Sequence, residues 1–298
     1  MHELDYFIVD VFTGTALAGN PLAVVFNTTD LATERMQAIA REFNLSETSF
    51  IQRRPAPLEQ ADGVRVRIFT AQEELPFAGH PTLGTASVLR LHAPETVQAN
   101  TVTLALNVGP IPVRFEANGL FGEMTQRDPD FGAELDRAQV ARLTGLDPDD
   151  LDPALPPQVV STGTAFAIVA LRSAEPLARL RVNQQQATPW LRDHGARWFY
   201  VLGPTTDQAE GHTPEYQARM QFYGGEDPAT GSAAGCAISY LVGRGAVASG
   251  LRVTLRQGVE IGRPSDLYLS ARAKLTTVTD VRVAGSTVLV AKGRLFLP

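Results

Sequence analysis

The sequence predicts an α+β (mixed α/β) protein of two lobes, each curling strands around one buried helix. Two windows carry no formal charge, Leu75–Leu89 and Pro228–Gly243. Each opens on Pro and Gly, then turns rich in Ala, Ser, Thr and aliphatic residues. A helix without a polar face has to be enclosed on all sides. Short strand signals surround both windows, and after Gly119 the style of the chain repeats. Two enclosed helices among many strands give two lobes.

Composition fits such cores. Of 298 residues, 44% are hydrophobic and 19% charged, a globular balance. A formal net charge of -6 argues against nucleic acid, whose phosphates require a basic face. Basic residues are scattered, with no run longer than Arg53-Arg54, so no membrane-surface patch is expected. No run of 18 apolar residues exists to span a bilayer. The start, Met1-His2-Glu3-Leu4-Asp5, has neither the basic residues nor the apolar stretch of a secretory signal. A cytoplasmic location is therefore expected, with a small anionic ligand. Cys236 is the only cysteine, which rules out an intrachain disulfide and a zinc–cysteine cluster.

The elements follow in order. Tyr6–Phe12 and Leu22–Phe26 read as strands, separated by turn-rich residues. Asp30 is placed to cap a helix running to Phe43, with Leu31, Met36, Ile39, Ala40 and Phe43 on one side and Asn44 as its stop. Strands are expected at Ser49–Ile51 and Val64–Phe69. Another pair, Thr101–Leu106 and Ile111–Phe115, is joined by a Gly-Pro turn. Further strand signals fall at Phe121–Thr125, Val159–Val160, Phe166–Leu171, Trp198–Leu202 and Arg219–Tyr223. Asp147–Pro157 is a surface loop by composition. The tail Val281–Leu297 reads as short strands joined by Gly-Ser and Lys-Gly turns.

Chemistry is expected at the two helix starts. In Gly79-His80-Pro81-Thr82, Pro81 fits the first turn and Gly79 admits close approach of a ligand. Free N–H groups there, aligned with the helix dipole, form a receptor for a carboxylate. Asp227-Pro228-Ala229-Thr230-Gly231-Ser232 repeats the arrangement and adds a hydroxyl. Each motif alone is also an ordinary helix start; the matched pair is what points to a site. Glu47 supplies a carboxylate between a helix end and an apolar strand. A surface Glu there is solvated, whereas one buried beside a substrate has its pKa raised towards neutrality and can take and return a proton. Asp227 is equally suited to capping its helix, and His80 to a structural hydrogen bond.

Other site chemistries fit less well. Gly79 to Gly84 has phosphate-loop spacing, but Thr85 stands where that loop needs Lys. A nucleophile elbow needs Gly-x-Ser-x-Gly, whereas Gly231 directly precedes Ser232. His2, His80, His92, His194 and His212 are too dispersed to suggest a metal site. A dinucleotide fingerprint is absent as well, so no metal and no cofactor is expected.

Several motifs together carry a resemblance. Val9-Asp10-Val11-Phe12-Thr13, Gly19-Asn20-Pro21-Leu22-Ala23, Leu45-Ser46-Glu47-Thr48, Glu74 to Thr82, Glu226 to Ala233, and Gln257-Gly258 with Gly262 to Ser265 resemble the phenazine-biosynthesis PhzF-like family, in the family's order. The resemblance implies the diaminopimelate-epimerase-like fold: two pseudo-symmetric lobes with the active site in the cleft between them, a homodimer, and a final segment that returns to the first lobe. The expected boundaries are residues 1–118 plus about 284–298 for the first lobe, and 119–283 for the second.

For activity, the resemblance implies an isomerase of the trans-2,3-dihydro-3-hydroxyanthranilate type, without metal or organic cofactor. Glu47 would move a proton between ring carbons, with His80 and Asp227 as partners that hold polar groups and tune protonation. Backbone N–H groups around Gly79, Gly231 and Ser232 would hold the substrate carboxylate. Amino-acid epimerases of the same fold carry a thiol at each helix start. Ala78 and Thr230 occupy those positions here, which excludes a two-cysteine racemase, and Cys236 is expected to be packing. The segment Arg219–Gly225 is shorter than its family counterpart, which bears on the substrate accepted. The competing expectations are a non-catalytic metabolite-binding dimer and a hydrolase using Ser232.

Overall fold

The computed structural model describes residues 2–117, 119–205, 213–222, 225–275 and 277–297. It separates into two compact units, Met1–Thr125 with Ala284–Pro298, and Gln126–Val283. The junction thus follows the strand Gly122–Thr125.

In the first unit, strand His2–Val11 pairs antiparallel with both Thr287–Leu297 and Asn20–Val25. Asn20–Val25 runs parallel to Glu47–Gln52, and Val64–Phe69 continues antiparallel. Thr101–Leu106 then joins Val64–Phe69 in parallel, followed by Gly109–Phe115 and Gly122–Thr125 as antiparallel neighbours. The charge-free window forms the helix Gly79–His92, and every residue from Gly79 to Leu89 is buried. Seven of these strands pack against it. The expected enclosure is therefore observed.

The second unit repeats the arrangement. Ala165–Ala170 and Trp198–Pro204 pair in parallel, Glu215–Arg219 follows antiparallel, and Val253–Gln257 runs parallel to that strand. The helix Gly231–Gly243 is buried from Gly231 to Val242. On the other side of the strands, Val140, Leu143, Leu191, Phe199 and Val201 belong to a second core cluster. Among the described residues, no helix is long and apolar enough to cross a membrane.

Several expectations are corrected. The early helix spans Thr33–Phe43 and is preceded by Ala32, so Asp30 does not cap it. Asp30 lies instead in a turn closed by the Leu31 N–H on the Thr28 carbonyl. Asn44 does end the helix, in the left-handed region at φ 51°. The turn after Leu106 falls at Asn107-Val108, with Gly109 and Pro110 already in the next strand. Lys292-Gly293 makes no turn: Thr287–Leu297 is continuous because it pairs along all of His2–Val11. A Cβ at Gly293 would lie 2.5 Å from the Tyr6 hydroxyl, so glycine lets that ring lie across the strand. The strand expected at Arg219–Tyr223 is divided between Glu215–Arg219 and the two-residue strand Gln221–Phe222, and Tyr223, like Gly224 and His212, lies outside the described residues. Helices Ala56–Asp62, Arg137–Thr144 and Gln184–Asp193 were not anticipated.

Enclosure makes the central helix the most sensitive element of its unit. Leu83 has 0% exposure and Leu91 46%. Leu83→Ala is expected to lower stability by about 2–5 kcal/mol, and Leu91→Ala by no more than about 0.5 kcal/mol. Urea unfolding followed by circular dichroism measures both; equal losses would contradict the enclosure.

Candidate active site

The first cluster grows from two adjacent parallel strands. Asn44 turns the chain out of its helix, and Glu47 opens the strand Glu47–Gln52. Its neighbour begins at Asn20, with Leu22 opposite Glu47. His80 stands in the first turn of helix Gly79–His92. Asn20 Nδ2 contacts His80 Nδ1 at 3.2 Å. An amide nitrogen only donates, so Nδ1 accepts and the neutral ring carries its proton on Nε2. That Nε2 lies 3.5 Å from Glu47 Oε2.

Charge on His80 decides what this contact is. The ring is 3% exposed, and burial pushes its pKa down to about 3. Near neutral pH the contact is therefore not an ion pair, and at 3.5 Å it does not make a hydrogen bond. The Glu47 side chain is 14% exposed. Asn20 is a cluster member that the chemical reading of the sequence missed, although Gly19-Asn20-Pro21 stands among the family motifs.

The second cluster lies in the second unit. Asp227 is buried, and Thr230 Oγ1 donates to its Oδ2 at 2.6 Å. The bland expectation for Asp227, a helix cap, does not hold. Thr230 itself precedes the helix Gly231–Gly243, and no side chain caps that end. Just upstream, Arg219 pairs with Glu226 at 2.5 Å, with side-chain exposures of 9% and 7%. Burial works against the Arg219 charge, but its bonds to Glu226 more than offset this and raise its pKa.

The two helix starts differ in their donors. The N–H groups of a first turn precede the intrahelical ladder. Gly79 and His80 provide them in one helix, where Pro81 has none and the Thr82 N–H already bonds the Ala78 carbonyl. Gly231, Ser232 and Ala233 provide them in the other, before the Ala234 N–H bonds the Thr230 carbonyl. Ala78 has no side chain able to cap, and the Thr230 hydroxyl is committed to Asp227. Both starts thus present donors suited to an anion.

Three remaining points limit the chemistry. Ser232 is buried in the first turn of its helix. Cys236 is buried beside Thr162 and the Thr164 carbonyl, and burial pushes its thiol up to about 11. It is packing. Among the described residues, no group of three or more His, Cys, Asp or Glu could hold a metal ion.

A buried neutral His80 has consequences for titration. Its folded pKa lies below the ordinary 6.5, so the unfolded chain binds its proton first. Stability from this group is complete above about pH 6.5 and is lost as pH falls towards 3. Nitrogen-15 NMR of the imidazoles is expected to show His80 neutral, protonated at Nε2, throughout about pH 5–8. A His80 that titrates in that window would contradict this geometry.

The family described as phenazine biosynthesis-like protein matches residues 9–293. The trans-2,3-dihydro-3-hydroxyanthranilate isomerase of Pseudomonas fluorescens is 34% identical over 303 residues, covering 100% of both chains. A PhzF-family phenazine biosynthesis protein of Bacillus anthracis superposes with a TM-score of 0.84 at 25% identity, again covering 100% of both chains. A hydroxyproline epimerase of Agrobacterium vitis shares the fold alone, with a TM-score of 0.62 at 10% identity over 98% of this chain and 92% of its own. The mixed α/β fold expected from the sequence is that of these proteins, and the chain belongs to the phenazine biosynthesis-like, PhzF-type family.

Proposed function

We propose that this protein is a cofactor-independent isomerase of a small carboxylate-bearing metabolite, in which Glu47 moves a proton between two carbons. The observation that carries the proposal is the half-enclosed Glu47 carboxylate facing a neutral imidazole N–H at 3.5 Å. A charged histidine there would hold Glu47 as an anion. A neutral one, close to Glu47 Oε2 but not hydrogen-bonded to it, does not fix the carboxyl group in one protonation state.

The steps balance without a co-reactant. Glu47 takes a proton from one substrate carbon, and the electron pair left behind delocalises towards the substrate carboxylate. The first-turn N–H groups around Gly79, on the same unit as Glu47, stabilise that charge as it develops. Glu47 then returns its proton to another carbon. Asp227 is assigned to a donor group of the substrate. The activity named for the Pseudomonas fluorescens relative makes trans-2,3-dihydro-3-hydroxyanthranilate the first substrate to test. The homodimer and the cytoplasmic location belong to the same proposal.

Two measurements check it. In D2O, wild-type protein is expected to place deuterium on carbon in this substrate, and Glu47→Gln to lower that rate at least about 100-fold while still binding it. Equal exchange by the variant removes Glu47 from its role. Binding without any exchange by the wild type supports a non-catalytic metabolite-binding dimer instead. Sedimentation equilibrium is expected to return twice the 32.1 kDa chain mass, and a monomer at micromolar concentration would contradict the dimer.

A further inference from the structure

The proton chemistry leaves the family motif Gln257-Gly258 without a role. Gly258 sits at φ 78°, where a Cβ would lie 2.4 Å from the Arg263 carbonyl oxygen and 2.7 Å from that of Pro228. Glycine is what lets the end of strand Val253–Gln257 reach the Asp227-Pro228 turn. Gln257, with 0% exposure, then uses its whole amide on that turn. Its Oε1 accepts from the Thr230 N–H at 3.1 Å and from the Tyr200 hydroxyl at 2.9 Å. Its Nε2 donates to the Asp227 carbonyl at 2.8 Å and to Thr230 Oγ1 at 3.0 Å.

These bonds have a direction. A backbone N–H only donates, so Thr230 fixes which end of the amide is oxygen. The Nε2 donor then points into the Thr230 hydroxyl oxygen, and the hydroxyl hydrogen is sent on to Asp227 Oδ2. Tyr200 donates to the same amide oxygen, which can only accept, and burial first, the Asp227 carboxylate second, push its pKa well above the ordinary phenol value.

We propose that Gln257 is a positioning residue that sets the proton direction of this chain, holding Thr230 as a donor and Asp227 as an acceptor. The hydroxyl of Thr230, at the position where epimerases of this fold carry a thiol, is thereby withheld from taking a substrate proton. Asp227 meets the substrate as an acceptor, which suits a hydroxyl or amino group beside the substrate carboxylate. That last step rests on the isomerase proposal; the direction of the hydrogen bonds does not. The titratable groups on the elements around Asp227 are Tyr200, Cys236, Arg263 and the Arg219–Glu226–Glu260 cluster. Gln257→Met leaves all their charges unchanged.

The test is carbon-13 NMR titration of the full-length protein with labelled aspartate, Asp227 being assigned by its loss in Asp227→Asn. Gln257→Met and Thr230→Val are each expected to raise the apparent Asp227 pKa by about one unit, with no further rise in the double variant. Thr230→Ser should restore the wild-type titration. An unchanged Asp227 in Gln257→Met, or additive shifts, overturns the proposal. Should Gln257→Met fail to fold, equal titrations of Thr230→Val and Thr230→Ser overturn it. With trans-2,3-dihydro-3-hydroxyanthranilate, Gln257→Met is expected to lose about tenfold in kcat with KM changed less than about threefold. An unchanged kcat alongside a shifted titration removes the positioning role. A wild type that leaves this compound untouched overturns the isomerase proposal, and the titration still decides Gln257.

Discussion

A helix that offers no polar face must be enclosed, and enclosing it determines where its unpaired N–H groups end up. In both units the enclosed helix begins inside the fold, at Gly79 and at Gly231. Neither beginning is capped by a side chain. Ala78 has nothing to offer, and Thr230 turns its hydroxyl to Asp227. In the first unit, strands that bury the helix also carry the groups that surround its start. Asn20 and Glu47 open adjacent parallel strands of the first unit, and Gln257 ends a strand of the second.

Burial then treats the two carboxylates differently. Glu47 lies 3.5 Å from an imidazole that burial keeps neutral. Asp227 receives a hydroxyl donor whose direction is set by a fully committed amide. In the proposed mechanism one carboxyl group changes its proton, and the other is held as an acceptor. Two similar helix starts thus acquire unequal chemical surroundings.

Legibility in the sequence followed the strength of each physical signal. Charge-free windows announced both central helices, because total burial leaves no position for a charged residue. Val64–Phe69 was visible through its alternation of apolar and basic residues. The helix Arg137–Thr144 went unread although Asp136 caps it and Gly145 ends it. Eight residues are too few for a convincing period. The Lys292-Gly293 dipeptide mimicked a turn, since nothing local reveals the long pairing with His2–Val11 or the Tyr6 ring that Gly293 accommodates. Within the candidate site, Glu47, His80 and Asp227 stood in recognisable motifs. Asn20, Tyr200 and Gln257 did not declare a role, because a buried amide or phenol acquires one only from partners as distant in sequence as Asn20 from His80 or Gln257 from Tyr200.

The central claim is that one carboxylate both removes and returns the migrating proton. It is tested most directly with trans-2,3-dihydro-3-hydroxyanthranilate carrying deuterium at the donor carbon, turned over once in ordinary water. A single shuttle on the partly enclosed Glu47 predicts that a measurable fraction of that deuterium reappears on the acceptor carbon. Product drawing all of its new hydrogen from solvent, even in the first turnover, would contradict it.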